Sequence, residues 1–271
     1  DIGTSRLYVF NSIIGDRVIE ENLIIGSLSC IIWTLTMQTT IKYVFLVLKA
    51  DNNGEGGTFA LYALVRRRKK WLVLPAMIGG ASLLADGIIT PPISITSAVE
   101  GLKQLPYLGI EDGSSTVVTI VLIILTLFFF TQQFGTSSIG KMFGPIMMVW
   151  FSMLLVLGLI HLFDDIEILK ALSPHYAIMF LKNYPEGFWL LGAVFLCTTG
   201  GEALYSDLGH CGKGNIRSSW IFVKTCLVIN YFGQGAYLLH NYHGAKNTDT
   251  FKAANSVNAF HGLMPDWYII S

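Results

Sequence analysis

Long runs of apolar residues dominate this chain and restrict it to one class of fold. Hydrophobic residues make up 52% of the 271 residues and charged residues 13%, which is about half the charged share of soluble domains. A helix that crosses a bilayer needs about 20 consecutive apolar residues. We therefore expect an all-α polytopic membrane protein with about seven spans, of which the first is truncated. The predicted spans are 1–14, 23–48, 72–102, 117–132, 142–163, 187–208 and 217–239.

The charged residues lie between these runs and predict the orientation of the chain. The connections near 49–71, 132–141 and 209–216 carry Lys and Arg, including the RRRKK cluster at 66–70, whereas the opposite connections are acidic. Lys and Arg concentrate in cytoplasmic loops. We expect the 49–71 loop to be cytoplasmic and residues 240–268 to form an extracytoplasmic loop. The protein is then a multi-pass protein of the plasma membrane, which is the inner membrane in a bacterium.

Several classes of function are disfavoured by what the sequence lacks. The formal net charge is zero at pH 7, so nothing favours a nucleic-acid partner. Four cysteines are widely spaced, and no CxxC pair indicates a zinc site or a disulfide framework. No GxSxG or HExxH motif occurs, so we expect neither enzymatic activity nor a cofactor. The DNNGEG run at 51–56 has Tyr62 where a calcium-binding EF-hand loop needs Glu, and we interpret it as a tight turn.

The segment ADGIITPPIS, residues 85–94, places polar groups inside an apolar run. Asp86, Thr90 and Ser94 are spaced four residues apart, so on a helix their oxygens share one face over about 12 Å. The two prolines after Thr90 lack the N–H groups that earlier carbonyls would accept, and we expect the helix to bend or open there. Freed carbonyls at membrane depth need protein or a water-filled cavity beside them. The alternative, a kinked helix whose hydroxyls bond their own backbone, does not account for Asp86.

Two other apolar segments are interrupted in a similar way. In DIGTSRLY at the start of the chain, Asp1 and Tyr8 would share a helical face, and the Gly-Thr-Ser between them favours local unwinding. In TTGGEALYSD, residues 198–207, two glycines interrupt the span between Thr199 and Glu202. Interrupted spans at matching places in two halves indicate the binding site of a transporter. The first and sixth segments match if each repeat has five spans.

The polar groups of these three segments are all oxygens, from carboxylates, hydroxyls, a phenol and backbone carbonyls. No His or Cys joins them. That set suits a hard cation rather than a transition metal. A dehydrated monovalent ion prefers many neutral oxygens and few charges, so the residues predict a site for such an ion.

Four motifs together resemble those of one family, the K+ uptake permeases (the KUP/HAK/KT family). They are, in chain order, DIGTSRLYVF, DNNGEGGTFALYALV, ADGIITPPISITSAVEGL and GGEALYSDLGHCGKGNIR, and the resemblance covers essentially the whole chain. It implies the LeuT-type fold of the amino acid–polyamine–organocation superfamily, with about twelve spans in a five-plus-five inverted repeat. It also implies K+ import, usually with H+. The K+ ligands implied by the resemblance are Asp1, Tyr8, Asp86, Thr90, Ser94, Thr199 and Glu202.

Glu202 is the best candidate for proton coupling, because it follows a helix break and would face a vestibule open to the cytosol. Burial disfavours an ionised carboxylate and a nearby cation favours it, so one group can link proton and K+ occupancy. Glu100 is a weaker candidate, since it lies 14 residues beyond Asp86, which is about 21 Å along a helix.

The chain departs from the family pattern in two respects. Arg6 stands where the family usually has Pro, and an Arg beside a cation site would repel K+, pair with a carboxylate or snorkel away. The chain also looks like a fragment missing both ends, with one transmembrane domain over 1–271 that holds the first repeat and two spans of the second.

Other functions stay open beside K+/H+ symport. One is transport of another solute, such as an amino acid, on the same fold, which the three carboxylates disfavour by repulsion. Another is an inert fragment with no transport of its own. A K+ channel is disfavoured because no TVGYG filter occurs. The expected partners are K+ and the lipid bilayer, and a homodimer stays an open alternative.

Overall fold

A computed structural model of the chain describes residues 2–15, 17–66, 69–101, 115–132, 137–184, 186–242 and 259–264. Within these ranges the secondary structure is helical, apart from turns and one isolated bridge between Asn52 and Glu55. The α-helices are α1 (Val9–Ile14), α2 (Glu21–Thr34), α3 (Thr58–Val65), α4 (Val73–Gly101), α5 (Ser115–Gln132), α6 (Ser137–Leu162), α7 (Pro174–Asn183), α8 (Gly187–Phe195), α9 (Ala203–Ser206), α10 (Leu208–Cys211) and α11 (Lys213–Tyr242). Short 3-10 helices cover Ser5–Leu7, Val47–Lys49, Lys70–Leu72, Ile166–Leu172, Leu196–Thr198 and His261–Leu263.

Four helices in the described ranges are long and apolar enough to cross a membrane. They cover Glu21–Lys49, Lys70–Val99, Phe143–Leu162 and Gly187–Ser206. A shorter apolar helix lies at Thr116–Phe130 within α5. The prediction of an all-α polytopic membrane protein is therefore confirmed. The count of seven spans stays a prediction, although each predicted span coincides with helix in the structure.

The second span changes its helical register halfway along. α2 passes at Thr34 directly into a π-helix over Leu35–Leu46, and Val47–Lys49 ends the span as a 3-10 turn. A π-helix is rare in proteins and most often lasts a single turn, frequently at a functional site. Twelve consecutive π-helical residues therefore mark this half of the span as an unusual element.

α4 runs without interruption through Pro91 and Pro92, so the helix does not open at these residues, and the alternative, a bend there, stays a prediction. The proline ring fixes φ near −65°, which is the value that helical residues adopt. Each proline removes one backbone donor, and the remaining hydrogen bonds keep the helix continuous. The polar face of α4 is therefore carried on one continuous helix.

α6 and α11 cross at close range, with small residues where they meet. A Cβ added at Gly158 would lie 2.6 Å from the Asn230 Cα, and one at Gly233 would lie 2.7 Å from the Gly158 Cα. The Asn230 side-chain nitrogen donates to the Leu154 carbonyl over 3.0 Å, and both residues are fully buried. Small residues let two helix backbones approach, and interhelical hydrogen bonds hold them together at membrane depth.

The loop after the second span is tied to the end of the broken sixth span. The Lys213 ammonium donates to the Asp51 carboxylate over 2.6 Å, and the Tyr205 hydroxyl donates to the Ala50 carbonyl. The Lys213 ammonium and the Gly54 N–H lower the pKa of Asp51, because both donate hydrogen bonds to its ionised form. The predicted tight turn is confirmed, with positive φ at Asn53 and Gly54. Two connections that the charge pattern places on one side of the membrane are thus in direct contact.

α7 is a short helix in the connection between α6 and α8. Ser173 caps its N-terminus by accepting a hydrogen bond from the His175 N–H, and Pro174 occupies the first helical position. Ala177 and Phe180 are its buried residues, and α7 packs against α2.

Candidate ion-binding site

The first predicted span is broken close to its start. Residues 2–4 form a turn, Ser5–Leu7 a 3-10 helix, and α1 begins only at Val9. Tyr8 separates the two helical pieces, with φ −133° and ψ −13°, outside the helical region. The predicted unwinding is confirmed in these residues, and the half-buried Tyr8 lies at its end. Asp1 lies outside the described residues.

The sixth predicted span is broken at the two glycines. α8 gives way to a 3-10 turn, Thr199 is extended with ψ 129°, and Gly200 has a φ of +83°. A positive φ costs a residue with a Cβ about 1–2 kcal/mol, which is why glycine is found at this position. Glu202 directly precedes α9, so its carboxyl group projects from the point where the helix resumes.

The predicted alignment of polar side chains along one face of α4 is confirmed. The Thr90 hydroxyl donates to the Asp86 carboxylate over 2.7 Å, and Thr90 is buried. The Ser94 and Thr4 hydroxyl oxygens lie 3.2 Å apart, which joins α4 to the break in the first span. Glu100 lies in the last turn of α4, and its side chain lies outside what the structure describes.

Glu202 connects the broken sixth span to the same face of α4. Its carboxyl group is close enough to that of Asp86 for the two to interact electrostatically. The Tyr43 hydroxyl, from the π-helical part of the second span, is close enough to interact electrostatically with Glu202. Asp86, Thr90 and Ser94 thus meet Glu202 on one side and Thr4 on another.

Tyr8 and Thr199 occupy the two breaks without joining this cluster directly. Among the described residues, no hydrogen bond links either side chain to Asp86, Thr90 or Ser94. Tyr8 lies instead near the buried Tyr231 of α11. That Tyr8 and Thr199 belong to a common site with the cluster therefore stays a prediction, which rests on the two helix breaks.

Arg6 lies buried beside the first break. Only 1% of it is exposed, and one terminal nitrogen donates to the Gly3 carbonyl over 2.6 Å. Its guanidinium carbon lies 5.8 Å from the centre of the Phe151 ring, while the other two nitrogens have no hydrogen-bond partner among the described residues. No carboxylate among the described residues forms an ion pair with it. Snorkelling is therefore ruled out, and the guanidinium is a fixed positive charge near the site.

A cavity of about 510 Å³ extends from the break in the sixth span towards the start of α11. Gly200 lines one end, and Asp207, Asn215 and Ser219 add polar groups further along. Glu202 is half-buried and does not line this cavity, so its exposure to a vestibule stays a prediction.

Sequence reasoning missed three residues that the structure brings to the cluster. Thr4 was seen only as part of an unwinding-prone Gly-Thr-Ser run, and Thr39 and Tyr43 lie in the half of the second span, Leu35–Leu46, that has no glycine or proline to mark it. The repeated polar residues within QTTIKY, residues 38–43, are the one signal that could have indicated them.

Four helices of membrane-spanning length in the described ranges, one of them broken at Gly200 beside Glu202, together with a second break before Val9, define a polytopic membrane protein of the ion-transporter class. The chain belongs to the family of K+ potassium transporters, whose integral membrane domain matches residues 1–270. A transporter family agrees with the prediction that the chain is not an enzyme. It also confirms the family that the four motifs indicate.

Bacterial relatives match the chain along its whole length. Proteins described as probable potassium transport system protein Kup share 57% identity over 275 residues in Cytophaga hutchinsonii and 55% over 270 in Flavobacterium johnsoniae. The corresponding Clostridium perfringens protein shares 52% over 278 residues. These alignments cover 99–100% of this chain but only 40–41% of the relatives, so the chain spans about two fifths of their length. No solved structure matches the chain.

Proposed function

We propose that this chain is part of a K+ importer driven by H+ symport. The observation that carries the proposal is the meeting of Asp86 on α4 with Glu202 at the break in the sixth span. Two acidic groups and several neutral oxygens at helix breaks are the ligand set that a weakly hydrated monovalent cation needs. The relatives, described as potassium transport proteins, support K+ as that cation.

The proposed K+ ligands are drawn from three spans. The first span would contribute the segment that starts the chain, α4 its polar face, and the sixth span the residues around its break. They are Asp1, Tyr8, Asp86, Thr90, Ser94, Thr199 and Glu202.

Proton coupling follows from the closeness of the two carboxyl groups. Two neighbouring carboxylates repel each other when both are ionised, which favours one proton on the pair. In symport the proton and K+ move in the same direction, so both would be bound at once, the proton on Glu202 and K+ at the ionised Asp86 and the neutral oxygens. A protonated Glu202 would still offer its carbonyl oxygen to K+. Glu202 is therefore the proposed coupling group, with Glu100 as a weaker candidate.

The proposed architecture is a LeuT-type inverted repeat in which seven spans are present and spans 1 and 6 are broken. The 49–71 and 209–216 connections would be cytoplasmic, and their contact through Asp51 and Lys213 supports a shared side. On the other side, Arg17 and Glu186 form an ion pair of 2.9 Å between two connections predicted to be extracytoplasmic. The 240–268 loop would lie on that side as well, although much of it lies outside the described residues. The proposed location is the plasma membrane.

The test needs a full-length transporter, because the chain covers 40% of its Cytophaga relative. We define the chimera as that relative with residues 1–271 of this chain in place of the matching segment. Expressed in cells that lack other K+ uptake systems, it should restore growth at low K+. Absence of K+ uptake by the chimera, despite normal expression, would contradict the proposed function.

Glu202→Gln in the chimera tests the coupling role. The amide keeps the size of the side chain but cannot exchange a proton, so the pH dependence of K+ uptake should be lost. Glu167→Gln, on the exposed 3-10 helix Ile166–Leu172, is the matched control and should keep the wild-type pH profile. An unchanged pH profile in Glu202→Gln would show that the coupling group lies elsewhere.

A further inference from the structure

The π-helical half of the second span carries a hydroxyl group whose environment differs from that of its neighbours. The Thr36 hydroxyl donates to the Ile32 carbonyl over 2.8 Å, and the Thr40 hydroxyl accepts from the Trp220 indole N–H over 3.0 Å. The Thr39 hydroxyl is fully buried and has no hydrogen-bond partner in the part of the chain that the structure describes. A buried hydroxyl without a partner is costly, so its persistence here calls for a ligand.

Thr39 faces the break in the sixth span. A Cβ added at Gly201 would lie 3.3 Å from the Thr39 hydroxyl oxygen and 3.0 Å from the Thr198 carbonyl oxygen. Gly201 therefore brings its backbone close to two oxygens, one from each span. The π-helix also packs against both the 3-10 turn that precedes the break and α9 that follows it.

The same side of the π-helix reaches the carboxyl groups of the site. Tyr43 lies four residues after Thr39, about one turn along the helix, and interacts with Glu202. The helix thus presents a hydroxyl and a phenol in the direction of the Gly200–Gly201 break and Glu202. The second span was not among the segments predicted to carry ligands.

We propose that Thr39 is a further ligand of the transported monovalent cation, presented by the π-helix of the second span at the break in the sixth. This inference rests on the proposed function, and it adds the second span to the first, third and sixth spans as a source of ligands. A neutral hydroxyl oxygen adds to the coordination of a dehydrated monovalent ion without adding charge. The π-helix supplies the position, because its wider turn changes which side chains of the span point towards the break.

The experiment compares three variants of the chimera in K+ uptake. Thr39→Val keeps the shape of the side chain but removes the hydroxyl, and it should raise the KM for K+ about tenfold, since a lost ligand to a charged group has an effect of that order. Thr39→Ser keeps the oxygen and should stay within about twofold of wild type. Thr36→Val removes a hydroxyl that bonds its own backbone and is the matched control, with an unchanged KM.

A second measurement separates ion binding from folding. The melting temperature of the purified chimera should rise on addition of K+, and Thr39→Val should reduce that rise while leaving the K+-free protein folded. A wild-type KM in Thr39→Val, or an equal loss in Thr39→Ser and Thr39→Val, would overturn the role of Thr39 while K+ uptake by the wild-type chimera stands. Failure of the wild-type chimera to take up K+ would instead overturn the proposed function, and the role of Thr39 with it.

Discussion

At the scale of single residues, a buried positive charge stands two positions from a hydroxyl of the candidate site. Arg6 donates to the Gly3 carbonyl, and the Thr4 hydroxyl meets Ser94. Of the three roles open to Arg6 from the sequence, the structure rules out snorkelling and shows no paired carboxylate in the described part of the chain. Asp1 lies outside the described residues, so pairing with that carboxylate stays open. We propose that the guanidinium repels the cation of the candidate site and holds the Gly3 carbonyl oxygen.

Arg6→Met in the chimera should lower the KM for K+. Methionine fills the space beside Phe151 without a charge, and the Gly3 carbonyl keeps a donor in the Trp150 indole N–H, 3.0 Å away. Removing a fixed charge near a cation site changes the free energy of ion binding by about 1 kcal/mol, or about fivefold in affinity. K+ uptake at graded K+ concentrations measures the effect.

Arg6→Lys is the matched control, because it keeps the positive charge and should not lower the KM. If Arg6→Met raises the KM as much as Arg6→Lys does, the guanidinium supports the site through its hydrogen bond and repulsion is the wrong explanation.

The sequence was most informative where a ligand follows from helical spacing. Asp86, Thr90 and Ser94 share a face because a helix repeats every 3.6 residues, and the structure confirms the alignment through the Thr90–Asp86 hydrogen bond. Thr39 could not be found this way. Whether a threonine bonds its own backbone or faces another span depends on helical register and on packing partners. The local sequence determines neither of them.

At the scale of elements, glycine and proline gave different outcomes as predictors of a helix break. The pair Gly200–Gly201 does interrupt its span, because the φ of +83° at Gly200 is a backbone conformation that few other residues adopt. The pair Pro91–Pro92 does not interrupt α4, because a missing donor can be tolerated while φ stays helical. The π-helix of the second span had no marker of either kind.

The choice of packing partners was also beyond the sequence. The contact between α6 and α11 depends on glycines that are 75 residues apart in the chain, Gly158 and Gly233. Hydrophobic periodicity gives little guidance when a helix is apolar on all sides, as spans are in a membrane. Small residues mark a close crossing only once the two helices are known to meet.

Gly233→Ala should destabilise the protein by about 1–3 kcal/mol, because the added methyl would meet backbone atoms of Gly158 that cannot move aside. Gly192→Ala in α8 is the control, since nothing lies within 4 Å of a Cβ at that position. Alanine there should be neutral or stabilising by up to about 1 kcal/mol, as it is in helices generally. The melting temperatures of the two purified chimera variants give the comparison, and equal values would contradict the close α6–α11 crossing.

At the scale of the whole molecule, ion pairs link connections that are predicted to lie on the same side of the membrane. Asp51 and Lys213 join two connections of the basic set, and Arg17 and Glu186 join two of the opposite set. The sequence predicted this grouping from alternation of spans, and the contacts agree with it. Which group faces the cytoplasm depends on the membrane and is proposed here from the positions of Lys and Arg.

Cys211 offers a direct test of that orientation. Of the four free cysteines, Cys211 is exposed and the other three are buried. Cys211 lies in the 209–216 connection. In a chimera whose cysteines outside residues 1–271 are replaced by serine, a membrane-impermeant maleimide should label inside-out vesicles and leave intact cells unlabelled. Cys211→Ser should abolish the signal.

A second cysteine position tests the opposite set of connections. The Glu186 side chain is 65% exposed there, and the double variant Cys211→Ser with Glu186→Cys should be labelled in intact cells. Labelling of Cys211 in intact cells would reverse the orientation, because the basic connections would then face outward, against the distribution of Lys and Arg that membrane insertion follows.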